Sequence, residues 1–386
     1  MIEQINAPHQ SVAQCAAPAG VTAWQPQGLS SPPEAARIAL ITADQVQPIL
    51  PDLDLWDCWP LQHADGRTVA HSGREWWFFL SAIRFPDPGH RHDAARIRLV
   101  SLGSDGWRDH GDVLDAATTP GAREWAGSAV LHDDRHTVEL FFTAAGRRGE
   151  TPSFEQRIFS STGKLGEAGI TDWTVPGELF VADGVRYVVA REAQGLPGMI
   201  KGFRDPAWFR DPASGQNCLL FTGSAGWSDD DFNGVIGIAV QASDGAWQLD
   251  NPLVAAIGVN NELERPHILV RDGRYYLFWS TQRRTFAPDG ERGPNGLYAM
   301  WSTSLQGPWV PVNGSGLVAA NPDGEITQGY SWWVTGEGVV WSFIDHWGLQ
   351  GRSFDDHPEL LRSQFGGTPA PVFALSFVGE RIAIVR

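Results

Sequence analysis

The segment Ile268-Leu-Val-Arg-Asp-Gly-Arg-Tyr-Tyr-Leu-Phe278 predicts the fold class of this chain. Two short apolar runs flank an Asp-Gly pair, which is a strong signal for a β-hairpin because both central residues of its turn need a positive φ. The same arrangement recurs along the sequence, and we expect further hairpins at Ala129–Phe142, Leu179–Val189 and Phe373–Val385. The repetition predicts an all-β protein.

The spacing of these hairpins favours a β-propeller over a sandwich. They are separated by several dozen residues, which suits blades of four strands, in a chain with 43 glycines, 26 prolines and no long segment of helical period. Periodicity alone does not give the number of blades. We interpret residues 1–43, rich in Ala, Pro, Ser and Gln, as an N-terminal arm on the body with one short helix at Pro33–Leu40. Residues 44–386 are expected to form a single domain.

Composition and charge narrow the class of ligand. Hydrophobic residues make up 42% and charged residues 19% of the 386 residues, as in globular proteins, and the formal net charge is −16. That charge repels nucleic acids and anionic membrane surfaces, so a neutral or cationic ligand is favoured. No stretch approaches the roughly 20 apolar residues of a membrane span.

Targeting and metal signals are weak. Met1 to Gly20 contain neither an apolar run nor a basic start, so we expect no secretory signal peptide there. Cys15, Cys58 and Cys218 are too few and too scattered for a zinc cluster or a disulfide framework. The run His90-Arg91-His92-Asp93 and the run Ser228-Asp-Asp-Asp231 are interpreted as solvated turns, and we predict no metal or cofactor.

Three segments carry acidic residues with aromatic or arginine neighbours. In a propeller, residues at the start of each innermost strand converge on one axial pocket. Retaining glycoside cleavage needs one ionised and one protonated carboxyl group about 5 Å apart, and tryptophan faces and arginine forks bind sugar rings and hydroxyls. Alone, each segment is more typical of core packing or a structural ion pair; together they favour a carbohydrate site. The segments are Leu55–Gln62, Phe203–Trp208 and Asn260–His267.

The motifs in these segments resemble glycoside hydrolase family 68, the levansucrases, inulosucrases and related β-fructofuranosidases. The matching motifs stand in the family's order. They are Trp56-Asp57-Cys58-Trp59-Pro60-Leu61, Glu124-Trp125-Ala126-Gly127-Ser128-Ala129, Arg204-Asp205-Pro206, Glu262-Leu263-Glu264-Arg265-Pro266, Gly314–Val318, Tyr330-Ser331 and Gly366–Pro371. The resemblance covers the chain from about Leu55 to its end.

This resemblance implies a five-bladed β-propeller with a central funnel-shaped pocket that cleaves sucrose. Asp57 would be the nucleophile that forms a fructosyl-enzyme, and Glu264 the acid that releases glucose and then the base that activates the acceptor. Asp205 would bind fructosyl hydroxyls and stabilise the transition state. The remaining implied substrate-binding residues are Trp56, Trp125, Arg204, Glu262, Gln282 and Tyr330.

Several positions depart from the family pattern. Ala126 stands where the family usually has a serine, and Cys58 where it usually has Ser or Thr; Cys58 should point away from the pocket because neighbours on a strand alternate. Asn261 stands where calcium-binding relatives carry an aspartate, so no calcium site is expected. Gln282 lies near the position where relatives carry an Arg or His that influences transfer against hydrolysis. Arg265 either tunes the pKa of Glu264 or is structural.

Three functions therefore stay open. The leading hypothesis is a levansucrase-type fructosyltransferase acting on sucrose, with sucrose and growing fructans as acceptors. The second is a β-fructofuranosidase that passes fructose to water, and the third is a non-catalytic carbohydrate-binding propeller. The resemblance implies an extracellular or periplasmic protein, whereas the missing signal peptide leaves a cytoplasmic location open. Linkage type and oligomeric state do not follow from the sequence.

Overall fold

Nearly all regular structure in this chain is β-sheet. The computed structural model describes residues 17–151, 153–189 and 199–386. A short strand, β1 (Thr22–Ala23), precedes the first two units of the sheet structure. The strands of the first are β2 (Leu53–Gln62), β3 (Ala70–His71), β4 (Arg74–Ile83), β5 (Arg96–Gly103) and β6 (Gly106–Asp112). Those of the second are β7 (Arg123–Leu131), β8 (Thr137–Ala145), β9 (Gln156–Gly166), β10 (Gly169–Thr171) and β11 (Gly177–Phe180).

Three more units follow in chain order. The third contains β12 (Phe203–Arg210), β13 (Asn217–Ser224), β14 (Gly234–Gln241), β15 (Trp247–Leu249) and β16 (Val254–Ala255). The fourth contains β17 (Glu264–Arg271), β18 (Arg274–Thr281), β19 (Gly296–Ser302), β20 (Val310–Pro311) and β21 (Leu317–Ala320). The fifth contains β22 (Gly329–Val334), β23 (Val339–His346), β24 (Phe365–Pro369), β25 (Phe373–Val378) and β26 (Arg381–Ile384).

The five units are the blades of a propeller. Within each blade the first long strand pairs antiparallel with the next, and the order continues outward, as in β2-β4-β5-β6 and β12-β13-β14-β15. The innermost strands β2, β7, β12, β17 and β22 each contact the next, and β22 returns to β2, so the ring closes. The predicted five-bladed β-propeller is confirmed.

Helical segments are few and short within the described residues. They are the 3-10 helices Glu34–Ala36, Ala43–Gln45, Pro88–Asp93 and Arg283–Thr285 and the α-helix α1 (Leu360–Ser363). None of these helices has the length and apolarity needed to cross a lipid bilayer. The helix predicted at Pro33–Leu40 is only the single turn Glu34–Ala36, because Arg37 turns extended and the Ile38 N–H donates to the Ala320 carbonyl.

The described part of the arm packs against the third, fourth and fifth blades. β1 pairs in parallel with β16, and Trp24, fully buried, meets the ring of Trp279 edge-on at 5.1 Å between centroids. The side-chain amide of Gln328 donates to the Ala39 carbonyl and accepts from the Ile41 N–H. Residues 1–16, including Cys15, lie outside the described residues.

Three of the four predicted hairpins are confirmed. In the hairpin β17–β18, Asp272 and Gly273 have φ values of 50° and 72°, as a two-residue turn with positive φ requires. The pairs β7–β8 and β25–β26 form the hairpins predicted at Ala129–Phe142 and Phe373–Val385.

The hairpin predicted at Leu179–Val189 is wrong. β11 ends at Phe180 and pairs with β9 instead, and residues 181–189 contain no strand. The Asp183 carboxylate accepts hydrogen bonds from the backbone N–H groups of Val185, Arg186 and Tyr187. A side chain that binds the backbone in this way competes with ladder pairing, which explains why the Asp-Gly pair does not nucleate a hairpin here.

Candidate active site

Each innermost strand contains a β-bulge that faces the centre of the ring. The pairing of the innermost strand with the next strand shifts its register once in each blade. The shifts lie between Trp56 and Trp59, Trp125 and Gly127, Arg204 and Ala207, Glu264 and His267, and Tyr330 and Trp333. A bulge leaves extra residues without a ladder partner and re-aims their side chains. The same β-bulge is therefore repeated in all five innermost strands around the axis.

The residue at the bulge has a left-handed backbone in four of the five blades. The φ values are 47° for Asp57, 60° for Asp205, 53° for Arg265 and 60° for Ser331. Such a conformation costs on the order of 1–3 kcal/mol for a residue other than glycine. The left-handed conformation recurs around the ring, which indicates that it serves the function of the site. Two of the four residues are aspartates, and aspartate tolerates this conformation better than most residues.

The bulges bring two consecutive residues of each blade to one cavity. Strand alternation would place neighbours on opposite faces, but the bulge turns both inward. The five pairs that line the cavity are Trp56-Asp57, Trp125-Ala126, Arg204-Asp205, Glu264-Arg265 and Tyr330-Ser331. The cavity encloses about 740 Å³, within the range of small-molecule sites.

All nine predicted site residues line this cavity. Segments far apart in the sequence thus meet around one space, as the sequence predicts. The nine residues are Asp57, Asp205, Glu264, Trp56, Trp125, Arg204, Glu262, Gln282 and Tyr330. Trp332 and Trp333, which follow the pair Tyr330-Ser331 in β22, are buried in the core. Cys58 is confirmed as pointing away, since it lies in a core cluster with Trp77 and Phe79.

Arg204 joins three carboxyl groups at the base of the cavity. Its Nη2 atom lies 3.0 Å from Glu264 Oε1 and 3.2 Å from Glu262 Oε2. Its Nε atom lies 3.5 Å from Asp205 Oδ2. Only 5% of Arg204 is exposed, and the three carboxyl groups raise the pKa of its guanidinium although burial lowers it. One permanent cation therefore holds the acidic cluster together.

Glu264 is held at both carboxyl oxygens. Arg204 donates to Oε1, and the Tyr330 hydroxyl donates to Oε2 through a short hydrogen bond. Burial and the adjacent Glu264 carboxyl raise the pKa of Tyr330 well above its usual value, so the phenol stays a donor. The carboxyl group is fixed in orientation at the start of β17.

Positively and negatively charged neighbours both affect the pKa of the Asp57 carboxyl group. Burial raises the pKa of its carboxyl group, Arg265 and the Ser331 hydroxyl lower it, and Glu264 raises it. The Arg265 guanidinium donates to the Ser331 Oγ and carbonyl at 2.6 and 3.1 Å and to the Cys58 carbonyl at 2.7 Å. Arg265 therefore ties the first, fourth and fifth blades together beside Asp57; it makes no ion pair with Glu264 among the described residues.

Asp205 is fixed by the second and third blades. Its backbone N–H donates to Thr143 Oγ1 at 2.8 Å, and its Oδ2 accepts from the Thr222 hydroxyl at 3.1 Å. Burial raises the pKa of Asp205 to about 7, against the lowering effect of Arg204. Glu262 also has its pKa raised to about 7, again by burial first. The free cavity therefore retains protons that isolated carboxyl groups would lose.

These raised pKa values predict that the folded protein loses stability as the pH rises. Asp205 and Glu262 at about 7 and the buried Glu124 at about 6 bind protons in the native state that the unfolded chain releases near pH 4. Between those values the native state binds more protons, so the free energy of unfolding falls. We expect the melting temperature to decrease from about pH 6.5 to about pH 8, above the interval in which His267, whose pKa burial lowers to about 3, and His92, whose pKa desolvation in the cavity also lowers, have the opposite effect.

Thermal unfolding monitored by circular dichroism at several pH values tests this expectation. Glu262→Gln should flatten the slope because it removes one titrating group. A melting temperature that stays constant or rises over this interval would contradict the assignment of these three groups.

The run His90–Asp93 is solvated at His90, His92 and Asp93, as predicted, but Arg91 is buried. It forms the 3-10 helix Pro88–Asp93, in which Arg91 is 8% exposed and lies over the rings of Trp56 and Phe365, at 5.4 and 4.6 Å. The His92 ring meets Trp56 edge-on at 5.7 Å, and both Arg91 and His92 line the cavity. Packing against a buried tryptophan makes this segment part of the wall.

Other cavity residues were missed by sequence reasoning. Asp345, His346 and Phe354 line the wall from the fifth blade. His346 Nδ1 lies 2.9 Å from Asp345 Oδ1. They stand outside the conspicuous acidic motifs. Asp345 and His346 lie at the end of β23, and Phe354 follows in the loop after it. Within the described ranges, no group of three or more His, Cys, Asp or Glu side chains is arranged to hold a metal ion.

Comparisons with known proteins agree with this geometry. The sequence profile of the family described as Levansucrase/Invertase matches residues 34–233 and 228–386. A levansucrase of Erwinia amylovora is 31% identical over 373 residues, which cover 86% of each chain.

Two solved structures extend the likeness to three dimensions. An inulosucrase from Halalkalicoccus jeotgali bound to kestose is 36% identical, with a TM-score of 0.82 and 92% of each chain covered. The catalytic domain of a β-fructofuranosidase from Microbacterium saccharophilum is 25% identical, with a TM-score of 0.74 over 91% of this chain and 85% of that one.

Proposed function

This chain belongs to the levansucrase and invertase family, glycoside hydrolase family 68, and on that premise we propose how its cavity acts on sucrose. The protein is a sucrose-cleaving fructosyltransferase. The observation that carries the assignment of its residues is the meeting of Asp57, Asp205 and Glu264 in one cavity around Arg204.

The first half-reaction uses Asp57 and Glu264. The Asp57 carboxylate attacks the anomeric C2 of the fructosyl unit while the protonated Glu264 carboxyl gives its proton to the glycosidic oxygen. The C2–O bond breaks, glucose leaves, and a fructosyl ester remains on Asp57. Arg265 supports the charged form of Asp57, and Tyr330 and Arg204 fix the Glu264 carboxyl toward the leaving oxygen.

The second half-reaction reverses the proton transfer. Glu264, now a carboxylate, takes a proton from the hydroxyl of an acceptor, and the acceptor oxygen attacks C2. The ester bond to Asp57 breaks and the carboxylate is restored. With a sugar as acceptor the product is a longer fructoside; with water it is free fructose.

The remaining residues bind and orient. Asp205, at the end of its bulge, would accept hydrogen bonds from fructosyl hydroxyls and stabilise positive charge in the transition state. Trp56 and Trp125 would present ring surfaces to the fructosyl unit. Arg204 and Glu262 would contact the leaving glucosyl unit. Tyr330 and Gln282 are the two remaining residues proposed to bind the substrate.

Product analysis from concentrated sucrose tests the function. A fructosyltransferase releases more glucose than free fructose and forms oligosaccharides, which chromatography quantifies. Equal glucose and fructose without oligosaccharide would make the protein a β-fructofuranosidase, and no glucose at all would contradict sucrose cleavage.

An extracellular or periplasmic location is part of the proposal. Its only support is the membership of the family. Cell fractionation with an antibody to the protein tests it, and a signal confined to the cytoplasm would overturn it.

A further inference from the structure

Two buried threonines on second strands bind the bulge of the next blade. In β8, Thr143 Oγ1 accepts a hydrogen bond from the Asp205 N–H at 2.8 Å. In β13, Thr222 Oγ1 accepts one from the Arg265 N–H at 3.1 Å. Both threonines are fully buried, and Asp205 and Arg265 have a left-handed backbone. The two hydroxyl groups therefore support strained positions that the site uses.

Thr222 differs from Thr143 because its hydroxyl group also reaches a carboxyl group of the site. Thr222 Oγ1 lies 3.1 Å from Asp205 Oδ2 and 3.2 Å from the Leu263 carbonyl oxygen. A hydroxyl group has one proton to donate, and a carboxylate is a stronger acceptor than a peptide carbonyl. The Thr222 proton therefore goes to Asp205 when Asp205 is ionised, and to Leu263 when Asp205 is protonated.

The side-chain contacts of Asp205 are confined to one of its two carboxyl oxygens. Thr222 donates to Oδ2, and Arg204 Nε lies 3.5 Å from the same atom. Among the described residues, Asp205 Oδ1 has no hydrogen-bond partner, although Asp205 is 6% exposed and lines the cavity. Thr222 and Arg204 thus fix the plane of the carboxyl group and leave Oδ1 for a ligand.

The hydrogen bond to Oδ2 matters because the surroundings of Asp205 disfavour its charge. Burial raises the pKa of Asp205 to about 7, against the lowering effect of Arg204. The proposed transition state needs an ionised Asp205 beside the positive charge that develops on the fructosyl unit. A donor that binds the charged form stabilises it. The charged groups that face Asp205 are Asp57 on β2, Arg204 on β12, Glu262 before β17, and Glu264 and Arg265 on β17.

We propose that Thr222 is a positioning residue for sucrose cleavage, whose hydroxyl group keeps Asp205 ionised and turned with Oδ1 toward the fructosyl unit. The inference rests on the proposed function and deepens it. Thr222 does not line the cavity, so it acts on the substrate through Asp205. It takes no part in bond making or breaking.

Steady-state kinetics of Thr222→Val test the inference, because valine keeps the branched shape of threonine but has no hydroxyl group. We expect kcat for glucose release from sucrose to fall about tenfold or more, as for the loss of a hydrogen bond to a charged group. The KM for sucrose should change little, because the lost stabilisation acts on charge that develops in the transition state. Thr222→Ser keeps the hydroxyl group and should restore most of kcat.

The pH profile supplies a readout that a purely structural role would not change. Without the Thr222 donor the ionised form of Asp205 is less stable, so the pKa of Asp205 rises. On the acidic side, kcat/KM should therefore reach half of its maximum at a higher pH in Thr222→Val than in the wild type. Thr222→Ser should follow the wild-type profile.

Ser128→Ala is the matched control for the loss of a buried hydrogen bond between blades. Ser128 is fully buried, and its hydroxyl group accepts from the Trp208 N–H at 2.9 Å. In the described part of the chain it has no hydrogen bond to a carboxyl group. Ser128→Ala should therefore leave kcat and the pH profile unchanged. All rates are measured at a temperature at which circular dichroism shows each variant to be folded.

A double-mutant cycle separates Asp205 from Arg265, the other partner of the Thr222 hydroxyl group. Asp205→Asn removes the charge that Thr222 is proposed to stabilise. Adding Thr222→Val to Asp205→Asn should therefore cost much less than adding it to the wild type. An equal cost in both backgrounds would place the effect on Arg265 and overturn the inference.

The outcomes separate this inference from the proposed function. No glucose from the wild type overturns the function itself. Glucose from the wild type with an unchanged kcat in Thr222→Val overturns the inference alone. The same holds for a loss that Ser128→Ala or Thr222→Ser shares in full, and for a lower kcat in Thr222→Val without a shift of the acidic limb.

Discussion

Replacing Asp57 with asparagine is expected to lower glucose release from sucrose by about 10⁴-fold or more, because the substitution removes the attacking carboxylate and with it the covalent intermediate. Asparagine has nearly the same shape and tolerates the left-handed backbone of this bulge, where φ is 47°. The fold should therefore survive. Asp57→Ala should show the same loss, with an added cost to stability from the strained backbone.

A matched control is available outside the cavity. Asp272 also has a left-handed backbone, with φ of 50°, but lies in the turn between β17 and β18. Asp272→Asn makes the same chemical change in the same conformation and should leave the initial rate of glucose release unaltered. Unchanged sucrose cleavage by Asp57→Asn would refute both the nucleophile and the retaining mechanism.

Replacing Glu264 with glutamine should give a substrate-dependent defect. With sucrose we expect a loss of about 10³-fold, since a glycosidic oxygen leaves poorly without a proton donor. With β-fructosyl fluoride the first half-reaction needs no proton, so Glu264→Gln should still release fluoride. Its second half-reaction lacks a base and should be slow.

The fructosyl-enzyme should therefore accumulate in Glu264→Gln. A fluoride electrode should record a burst equal to the enzyme concentration, and intact mass spectrometry should show a mass gain of one anhydrofructose unit on Asp57. Glu262→Gln serves as the control, because Glu262 also pairs with Arg204 but is proposed only to bind. Equal losses for sucrose and fluoride in Glu264→Gln would show that Glu264 is not the acid.

The acidic residues were predictable because each stands in a compact motif. Asp57, Asp205 and Glu264 lie on innermost strands, and a propeller brings these strands together around one axis whatever their separation in the chain. The hairpin at Asp272-Gly273 was predictable for a similar reason, since the turn residues alone determine it.

Other features depended on contacts distant in sequence. Arg91 looks like part of a polar loop until Trp56 is placed beneath it. The Asp-Gly pair at Asp183 looks like a hairpin turn until the carboxylate is seen to bind three backbone N–H groups. Strand alternation placed Cys58 correctly but would have hidden Trp56 from the cavity, because alternation takes no account of a bulge.

The fivefold bulge separates the chemistry of this enzyme from its scaffold. The innermost strand of each blade contributes one dipeptide to the cavity, and the ladder resumes immediately beyond it in every blade. Where the side chain is only partly buried, as at Trp125, a change alters what the substrate meets with little repacking of the sheets behind it. A combinatorial library restricted to Trp125 would therefore vary the ring surface that the fructosyl unit meets while leaving Asp57, Asp205 and Glu264 and the hydrogen bonds of Tyr330 and Ser331 in place, so most of its members should remain folded.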